Sequence, residues 1–326
     1  MNLIDDKIKN KIQNCNIFVT GGTGFFGKSL LKYFIELCSE NCAFNVFILS
    51  RNPEIFLKNN REFLHHNFKF VTGDIREFSI PKDIKFDYFI HGATAADLDM
   101  IKNNPDEIFS VIVDGTKYVL EQCKKVGVRK LLFISSGAVY GGQPFEIAKI
   151  SESFRCHPKT IYGKGKLIAE NLCLESEINT AVARCFTFIG EYLPLDLHFA
   201  AGNFINNALN GESIVINGDG SAVRSYMHSE DLVRWLIMIL LFSENGDIFN
   251  VGSDESVTIK DLAYYVRECF GNKIEVEIKR KRQINLQANR YVPDVNLAKK
   301  KLKLALKFDN KSAVEKTIKC LKAVKK

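Results

Sequence analysis

The sequence predicts an α/β fold built on a doubly wound parallel sheet, and three observations carry the prediction. Short apolar runs alternate with amphipathic stretches through the first half of the chain, a glycine-rich turn sits at the first junction between them, and the alternation loosens after about Gly190. The runs Asn16–Thr20, Asn45–Ser50, Phe68–Val71, Asp87–His91, Lys130–Ser135 and Thr180–Phe186 read as strands. Between them, Gly27–Cys38, Glu107–Val126 and Tyr162–Glu175 repeat their apolar residues at helical spacing. Strands alternating with helices in this way leave a sheet covered on both faces. Beyond Gly190 an irregular segment, Glu191–His198, precedes helices near Ala200 and Asp231, then at Lys260–Phe270 and Ala313–Lys322.

A chain of 326 residues exceeds one comfortable core, so two domains are expected. The larger spans 1–190 with a returning segment near 222–252; the smaller, interleaved C-terminal α/β domain spans 191–326 and reads as a lid. No repeat or Pro/Gly-rich linker marks the boundary.

With 46% hydrophobic and 25% charged residues the composition is that of a soluble globular protein. The richest apolar stretch, Leu232–Phe242, is interrupted by Arg234 and is too short to span a membrane. Met1–Asn14 mixes charges with isolated apolar residues, unlike a secretory signal. Nine cysteines without a Cys-x-x-Cys pair argue against a disulfide framework and a zinc site, so a reducing cytoplasm and no metal are expected. The net charge of +7 is concentrated in Lys279-Arg280-Lys281-Arg282, Lys299–Lys303 and Lys325-Lys326. No aromatic residues accompany these runs as a stacking motif, so they read as solvated faces with some pull on a small anionic substrate, not as a nucleic-acid surface.

The turn Thr20-Gly21-Gly22-Thr23-Gly24-Phe25-Phe26-Gly27 follows a strand and opens a helix. Its glycines satisfy both Gly21-x-x-Gly24-x-x-Gly27 and Gly22-x-Gly24-x-x-Gly27, so spacing leaves the subfamily open. Either pattern allows close backbone approach and offers helix N–H groups to a pyrophosphate, the signature of a Rossmann-type dinucleotide site. At the end of the second strand, where NAD sites normally offer an acid to the ribose 2′-hydroxyl, the chain has Ser50-Arg51. A cation there suits a 2′-phosphate, which favours NADP(H) and leaves NAD(H) open.

Tyr162 and Lys166 are four apart at the start of a helical stretch, hence neighbours on one face. A nearby ammonium favours phenolate and is expected to pull the tyrosine toward the working range of a base. Ser135-Ser136-Gly137-Ala138-Val139-Tyr140-Gly141 ends a strand and puts a hydroxyl at the carboxyl edge of the sheet.

Together these residues resemble the extended short-chain dehydrogenase/reductase family, in particular its nucleotide-sugar epimerases, dehydratases and reductases. The resemblance continues in order through Gly73-Asp74-Ile75-Arg76, His91-Gly92-Ala93-Thr94, Gly115-Thr116, Val139-Tyr140-Gly141, Arg224-Ser225-Tyr226-Met227-His228 with Asp231-Leu232, Phe249-Asn250-Val251-Gly252, and Arg290-Tyr291 with Asp294. It implies that Tyr162 is the acid/base on a sugar oxygen, that Lys166 holds the nicotinamide ribose, and that Ser136 bonds the reacting oxygen. It assigns Asp74 and Ile75 to the adenine side, Gly92, Ala93 and Thr94 to the cofactor, and Arg224 and Arg290 to the nucleotide diphosphate. Thr187, His198 and Asn203 fall at the substrate. It further implies a homodimer and a place in polysaccharide biosynthesis.

The departures sharpen this. The 4,6-dehydratases of the family carry Asp and Glu after the catalytic hydroxyl, where this chain has Gly137 and Ala138, so the proton carriers for elimination are missing. Relatives carry Asn at the positions of Ile112 and Thr187. The leading expectation is therefore an NADPH-dependent reductase of a nucleoside-diphosphate 4-keto-6-deoxy sugar. A 4-epimerase with bound NAD is its rival, followed by a dehydratase with atypical acid/base residues and, remotely, a non-catalytic dinucleotide-binding protein.

Overall fold

The computed structural model describes residues 3–94, 103–195, 199–281 and 288–324. Helix α1 (Leu3–Ile12) leads into β1 (Asn16–Thr20), α2 (Phe25–Ser39), β2 (Asn45–Ser50), α3 (Pro53–Asn59), β3 (Phe68–Thr72) and β4 (Tyr88–His91). Then come α4 (Pro105–Val126), β5 (Lys130–Ser136), α5 (Ile161–Leu174) and β6 (Thr180–Cys185). Every strand and helix expected in this half forms, within a residue or two at the ends. With β11 (Ile248–Val251) the strands make one seven-stranded sheet in the order β3-β2-β1-β4-β5-β6-β11, and the pairs from β3 through β6 are parallel.

The order reverses between β1 and β4, so the connections from these two strands leave in opposite directions and open a crevice at their carboxyl ends. Register aligns Thr20 with Leu49 of β2 and with His91 of β4, and His91 with Phe133 of β5. The chemically interesting residues therefore emerge along one edge. Below them the strands other than the edge strand β3 are buried almost throughout, and Phe18 stacks on Phe89 at 4.9 Å and meets Phe86 edge-on at 5.6 Å. Such pairs add about 0.5–1.5 kcal/mol each beyond the area they bury.

The chain divides into two compact units, one of residues 1–141, 158–185 and 233–249, the other of 142–157, 186–232 and 250–326. In the first unit, α1 was not anticipated from sequence. Its Ile8 and Ile12 are fully buried, and Asp5 accepts hydrogen bonds from the Tyr33 hydroxyl at 2.6 Å and from Arg234 Nε at 3.1 Å.

The second unit carries three two-stranded ribbons: β7 (Phe188–Ile189) with β10 (Met227–His228), β8 (Ile214–Ile216) with β13 (Val276–Ile278), and β9 (Val223–Arg224) with β12 (Val257–Thr258). Around them lie α6 (Ala200–Leu209), α8 (Ile259–Glu268), α9 (Asn296–Leu302) and α10 (Asn310–Val324), while α7 (Ser229–Phe242) runs from this unit into the first. All nine cysteines are free, and no metal-binding cluster occurs among the described residues. No described helix is long and apolar enough to cross a membrane.

Candidate active site

The glycine turn is shaped by backbone crowding. Gly21 has φ +75°, and a Cβ there would lie 2.6 Å from the carbonyl of Gly92; a Cβ at Gly27 would lie 2.3 Å from Gly21 O and Gly22 C. Nothing larger than hydrogen fits at either position, which is what brings the turn against the end of β4 and the first turn of α2. Gly24 caps α2 without a side-chain bond to its N–H groups, and the helix has no acidic residue in its first turn. An uncapped helix start free of negative charge is a cradle for phosphate. Phe25 and Phe26 flank it with their rings 5.6 Å apart.

Ser50 and Arg51 close β2, with Arg51 exposed. Asp74 follows β3; burial pulls its carboxyl pKa up, but bonds from the Arg76 backbone (3.0 Å) and Nε (2.9 Å) outweigh that and hold it below its ordinary value. Ile75 is buried and lies where a Cβ on Gly115 would touch it. After β4 come Gly92, Ala93 and Thr94, and the Thr94 hydroxyl is buried with no hydrogen-bond partner. The crowded turn, the open helix start and this orphaned hydroxyl fit a dinucleotide.

A buried relay that the sequence did not disclose locks this edge. Thr20 Oγ1 receives N–H bonds from Gly92 and Ala93, both 3.2 Å, and lies 2.9 Å from His91 Nδ1, while His91 Nε2 lies 3.0 Å from Thr116 Oγ1. Thr116 donates its own proton to Ile112 O at 2.6 Å. It must therefore accept from His91, which makes His91 the Nε2–H tautomer and leaves Nδ1 to accept from Thr20. Burial, reinforced by the Lys166 charge, pushes the imidazole pKa down to about 3.

The unfolded imidazole, with a reference pKa of about 6.5, takes up its proton first as the pH falls. The stability from this group is thus complete above that value and is lost progressively toward pH 3. His91→Gln, which keeps both bonding atoms but cannot titrate there, is expected to flatten the acid limb of a urea-denaturation series. Nitrogen-15 spectra of the native protein should show one unprotonated Nδ1 throughout pH 5 to pH 8. A His91 signal titrating near its ordinary value would contradict this assignment.

Two local features bring the expected catalytic residues together. Ser136 ends β5 and accepts from the Ala138 N–H at 3.2 Å, which starts the short helical turn Gly137–Tyr140. Thr160 caps α5 by accepting from Gly163 N at 3.0 Å, a contact of about 1 kcal/mol, and sets Tyr162 in the first helical turn. Gly163 lets the helix approach, since a Cβ there would lie 2.7 Å from Ala138 O. The Ser136 hydroxyl acts on the Tyr162 phenol, lowering its pKa against the effect of burial. Lys166 is 2% exposed, donates from Nζ to Ile134 O at 2.8 Å, and lies 5.9 Å from the centroid of the Tyr162 ring.

The electrostatics differ from the sequence expectation. Burial raises the Tyr162 phenol to about 12, opposed by Ser136, and the Lys166 ammonium is not what sets the value. Burial also lowers Lys166, to about 8. In this state the tyrosine is a protonated acid at neutral pH.

A second set missed from sequence lies directly behind. Glu170, one turn after Lys166, is 1% exposed and faces Arg184 of β6, whose Nη2 donates to Oε2 at 2.7 Å and whose Nε lies 3.1 and 3.2 Å from the two carboxylate oxygens. Arg184 Nη1 also donates to the Tyr140 hydroxyl at 3.0 Å, and the Ser135 hydroxyl donates to Glu170 Oε1 at 2.5 Å. The signal in the sequence was a lone charge, Arg184, in the otherwise uncharged strand Thr180–Cys185. Ile112, where relatives have Asn, is buried and lies where a Cβ on Gly165 would touch it.

In the second unit, Arg224 lies on β9 and donates from Nη1 to Val223 O at 2.8 Å and to Asn289 O at 3.1 Å. A bridge between Val223 and Arg290 brings the two arginines to neighbouring positions, and Arg290 Nε is buried without a partner, as is the Ser225 hydroxyl nearby in sequence. Thr187 accepts from Met227 N at 3.0 Å, and Asn203 stands exposed on α6, away from the arginine pair in sequence. His198 lies outside the described residues.

A parallel sheet that reverses at β1/β4, with a glycine turn at the reversal, defines a dinucleotide-binding protein of the extended short-chain dehydrogenase/reductase type. The chain belongs to the NAD dependent epimerase/dehydratase family, whose description matches residues 17–252. It is 27% identical over 292 residues to UDP-glucuronic acid decarboxylase 1 of Danio rerio, covering 87% of this chain and 67% of that protein. The fold is shared with UDP-glucose 4-epimerase of Thermotoga maritima, crystallised with UDP-glucose (TM-score 0.82, 24% identity, 95% of this chain and 100% of that one). UDP-glucuronic acid 4-epimerase of Bacillus cereus, in complex with UDP-glucuronic acid and NAD, is similar at a TM-score of 0.81 and 22% identity over 95% and 99% of the two chains.

Proposed function

We propose that the chain is a nucleotide-sugar oxidoreductase that oxidises C4 of a UDP-linked sugar transiently and returns the hydride, a 4-epimerase. The observation that carries this is Lys166, buried against β5 at Ile134 O and 5.9 Å from the Tyr162 ring, beside a turn whose Gly137 and Ala138 bear no acid or base. Elimination of water needs a proton carrier beyond the tyrosine. Decarboxylation, the reaction in the name of the Danio rerio relative, leaves the carbon that loses the carboxyl group to be protonated. Inversion at C4 needs one acid/base group and a hydride that leaves one face of the sugar and returns to the other after the 4-keto sugar has turned over.

Gly21, Gly24, Gly27, Phe25 and Phe26 would hold the pyrophosphate end of the dinucleotide, Ser50, Arg51, Asp74 and Ile75 its adenosine, and Gly92, Ala93 and Thr94 the segment between. When bound, the cofactor supplies hydride acceptance and a positive charge. Tyr162 takes the proton of the C4 hydroxyl at its phenol oxygen as the C4–H bond breaks, and gives it back when a C4–H bond forms on the opposite face. A cation near the phenol moves its pKa down from the raised value, toward the range in which it can accept. Ser136 holds the sugar oxygen by hydrogen bonding. Lys166 orients the nicotinamide ribose. Arg224 and Arg290 are assigned the diphosphate, for which a guanidinium fork is well shaped, and Thr187 and Asn203 the sugar.

Arg51 favours a second reading, an NADPH-dependent reductase of a nucleoside-diphosphate 4-keto-6-deoxy sugar, because a guanidinium at the end of β2 suits a 2′-phosphate. One screen separates the two. UDP-glucose, UDP-glucuronic acid, UDP-N-acetylglucosamine and 4-keto sugar nucleotides are each incubated with the protein and either cofactor, and products are read by NMR and nicotinamide absorbance. Epimer formation without net absorbance change supports the first reading. Stoichiometric loss of NADPH with a keto sugar establishes the second, and absence of both removes the function at C4.

A further inference from the structure

Three catalytic candidates sit on two elements that are held together from behind by one ion pair. Ser136 belongs to β5 and the turn that follows it, whereas Tyr162 and Lys166 belong to α5. Glu170 lies on α5, one turn beyond Lys166, and Arg184 lies on β6 beside β5. The pair reaches β5 through the Ser135 hydroxyl and the Gly137–Tyr140 turn through the Tyr140 hydroxyl.

We propose that the Glu170–Arg184 pair is a positioning element: it ties α5 to β5, to the turn after β5 and to β6, and so sets Ser136, Tyr162 and Lys166 at their working separations. This rests on the reading of those three residues as catalytic. Several observations single out the pair. Its two charges are almost wholly buried, at 6% and 1% exposure, whereas the pairs Lys9–Glu40, Arg76–Asp74 and Arg234–Asp5 of the same unit are more exposed. Its bonds to the Ser135 and Tyr140 hydroxyls land on elements that carry or flank a catalytic candidate. Ser135 and Ser136 are adjacent on a strand and point to opposite faces, so anchoring the first orients the second.

A buried pair is weak evidence of a role in stability, because well-packed apolar replacements are often tolerated or even stabilising. That property supplies the test. In Glu170→Met/Arg184→Leu both charges are removed together, so no unpaired ion is left behind. A purely structural role predicts that a variant with native thermal stability keeps its turnover. Positioning predicts that kcat falls by about 100-fold, the loss expected of a misplacement near 1 Å, while KM for the nucleotide sugar stays unchanged. Full kcat in the folded double variant, or a loss of kcat/KM residing in KM, overturns the proposal.

Should that variant fail to fold, Ser135→Ala/Tyr140→Phe removes only two hydroxyls. It is expected to lose about 10-fold in kcat at unchanged KM, and unaltered kcat again overturns the idea. Absence of turnover in the native protein would instead defeat the functional reading, and the crystal structure of the folded variant then decides. A Lys166 Nζ to Ile134 O separation lengthened from 2.8 Å supports positioning, and an unchanged one refutes it.

Discussion

Replacement of Tyr162 by Phe is expected to lower kcat by about 1,000-fold, within the range that a positioned acid/base group contributes. The substitution removes one oxygen from a ring whose packing stays. That oxygen is the group whose pKa burial raises to about 12, against the opposing effect of Ser136. Deleting a buried polar atom leaves little to unfold, so the melting temperature and the affinity for NAD should stay near native. KM for the nucleotide sugar should hardly change, because the lost interaction belongs to the reacting proton and not to ground-state binding. A variant that retains kcat within tenfold would show that the proton moves elsewhere. Such a result would leave the dinucleotide site untouched and remove only the chemistry assigned to the phenol.

The other large effect should come from a single methyl group. In Gly27→Ala the new Cβ would lie 2.3 Å from Gly21 O and Gly22 C, and backbone atoms cannot rotate away as a side chain could. Either α2 moves off the turn or the turn opens. Overpacking of this kind costs about 1–3 kcal/mol or more, and because the displaced atoms are those proposed to meet pyrophosphate, NAD affinity should fall by at least about tenfold. Titration of NADH fluorescence together with a thermal melt measures both consequences.

Gly211 provides the contrast. It also has positive φ, at +77°, but a Cβ there meets nothing within 4 Å. Gly211→Ala should therefore show only left-handed strain of about 1–2 kcal/mol and native cofactor affinity. Native NAD affinity in Gly27→Ala would mean that the dinucleotide does not rest on this turn.

Much of the first unit could be read without coordinates, and the reason is local. Strands such as Asn45–Ser50 are short apolar runs bounded by polar residues, and α4 shows a clear apolar face over Pro105–Val126. The helix α1 escaped notice because Ile8 and Ile12 are isolated among charges; only the packing around Tyr33 and Arg234 makes an apolar face of them. The ribbons of the second unit were equally invisible. Strands of two or three residues carry no periodicity, and their pairing joins segments as distant as Ile214 and Val276.

Sequence by itself determined the alternation of strand and helix, the glycine turn at the first junction, and the presence of Ser136, Tyr162 and Lys166 at family spacing, since each of these is written in contiguous residues. It did not determine how those residues are charged. A side chain's protonation depends on how much water remains around it and on which neighbours arrive from other strands. Burial raises the phenol's pKa, where the neighbouring ammonium was expected to lower it, and lowers that ammonium's own. The same holds for Glu170 and Arg184, fourteen positions apart on different elements: only the packing of α5 on the sheet makes them partners.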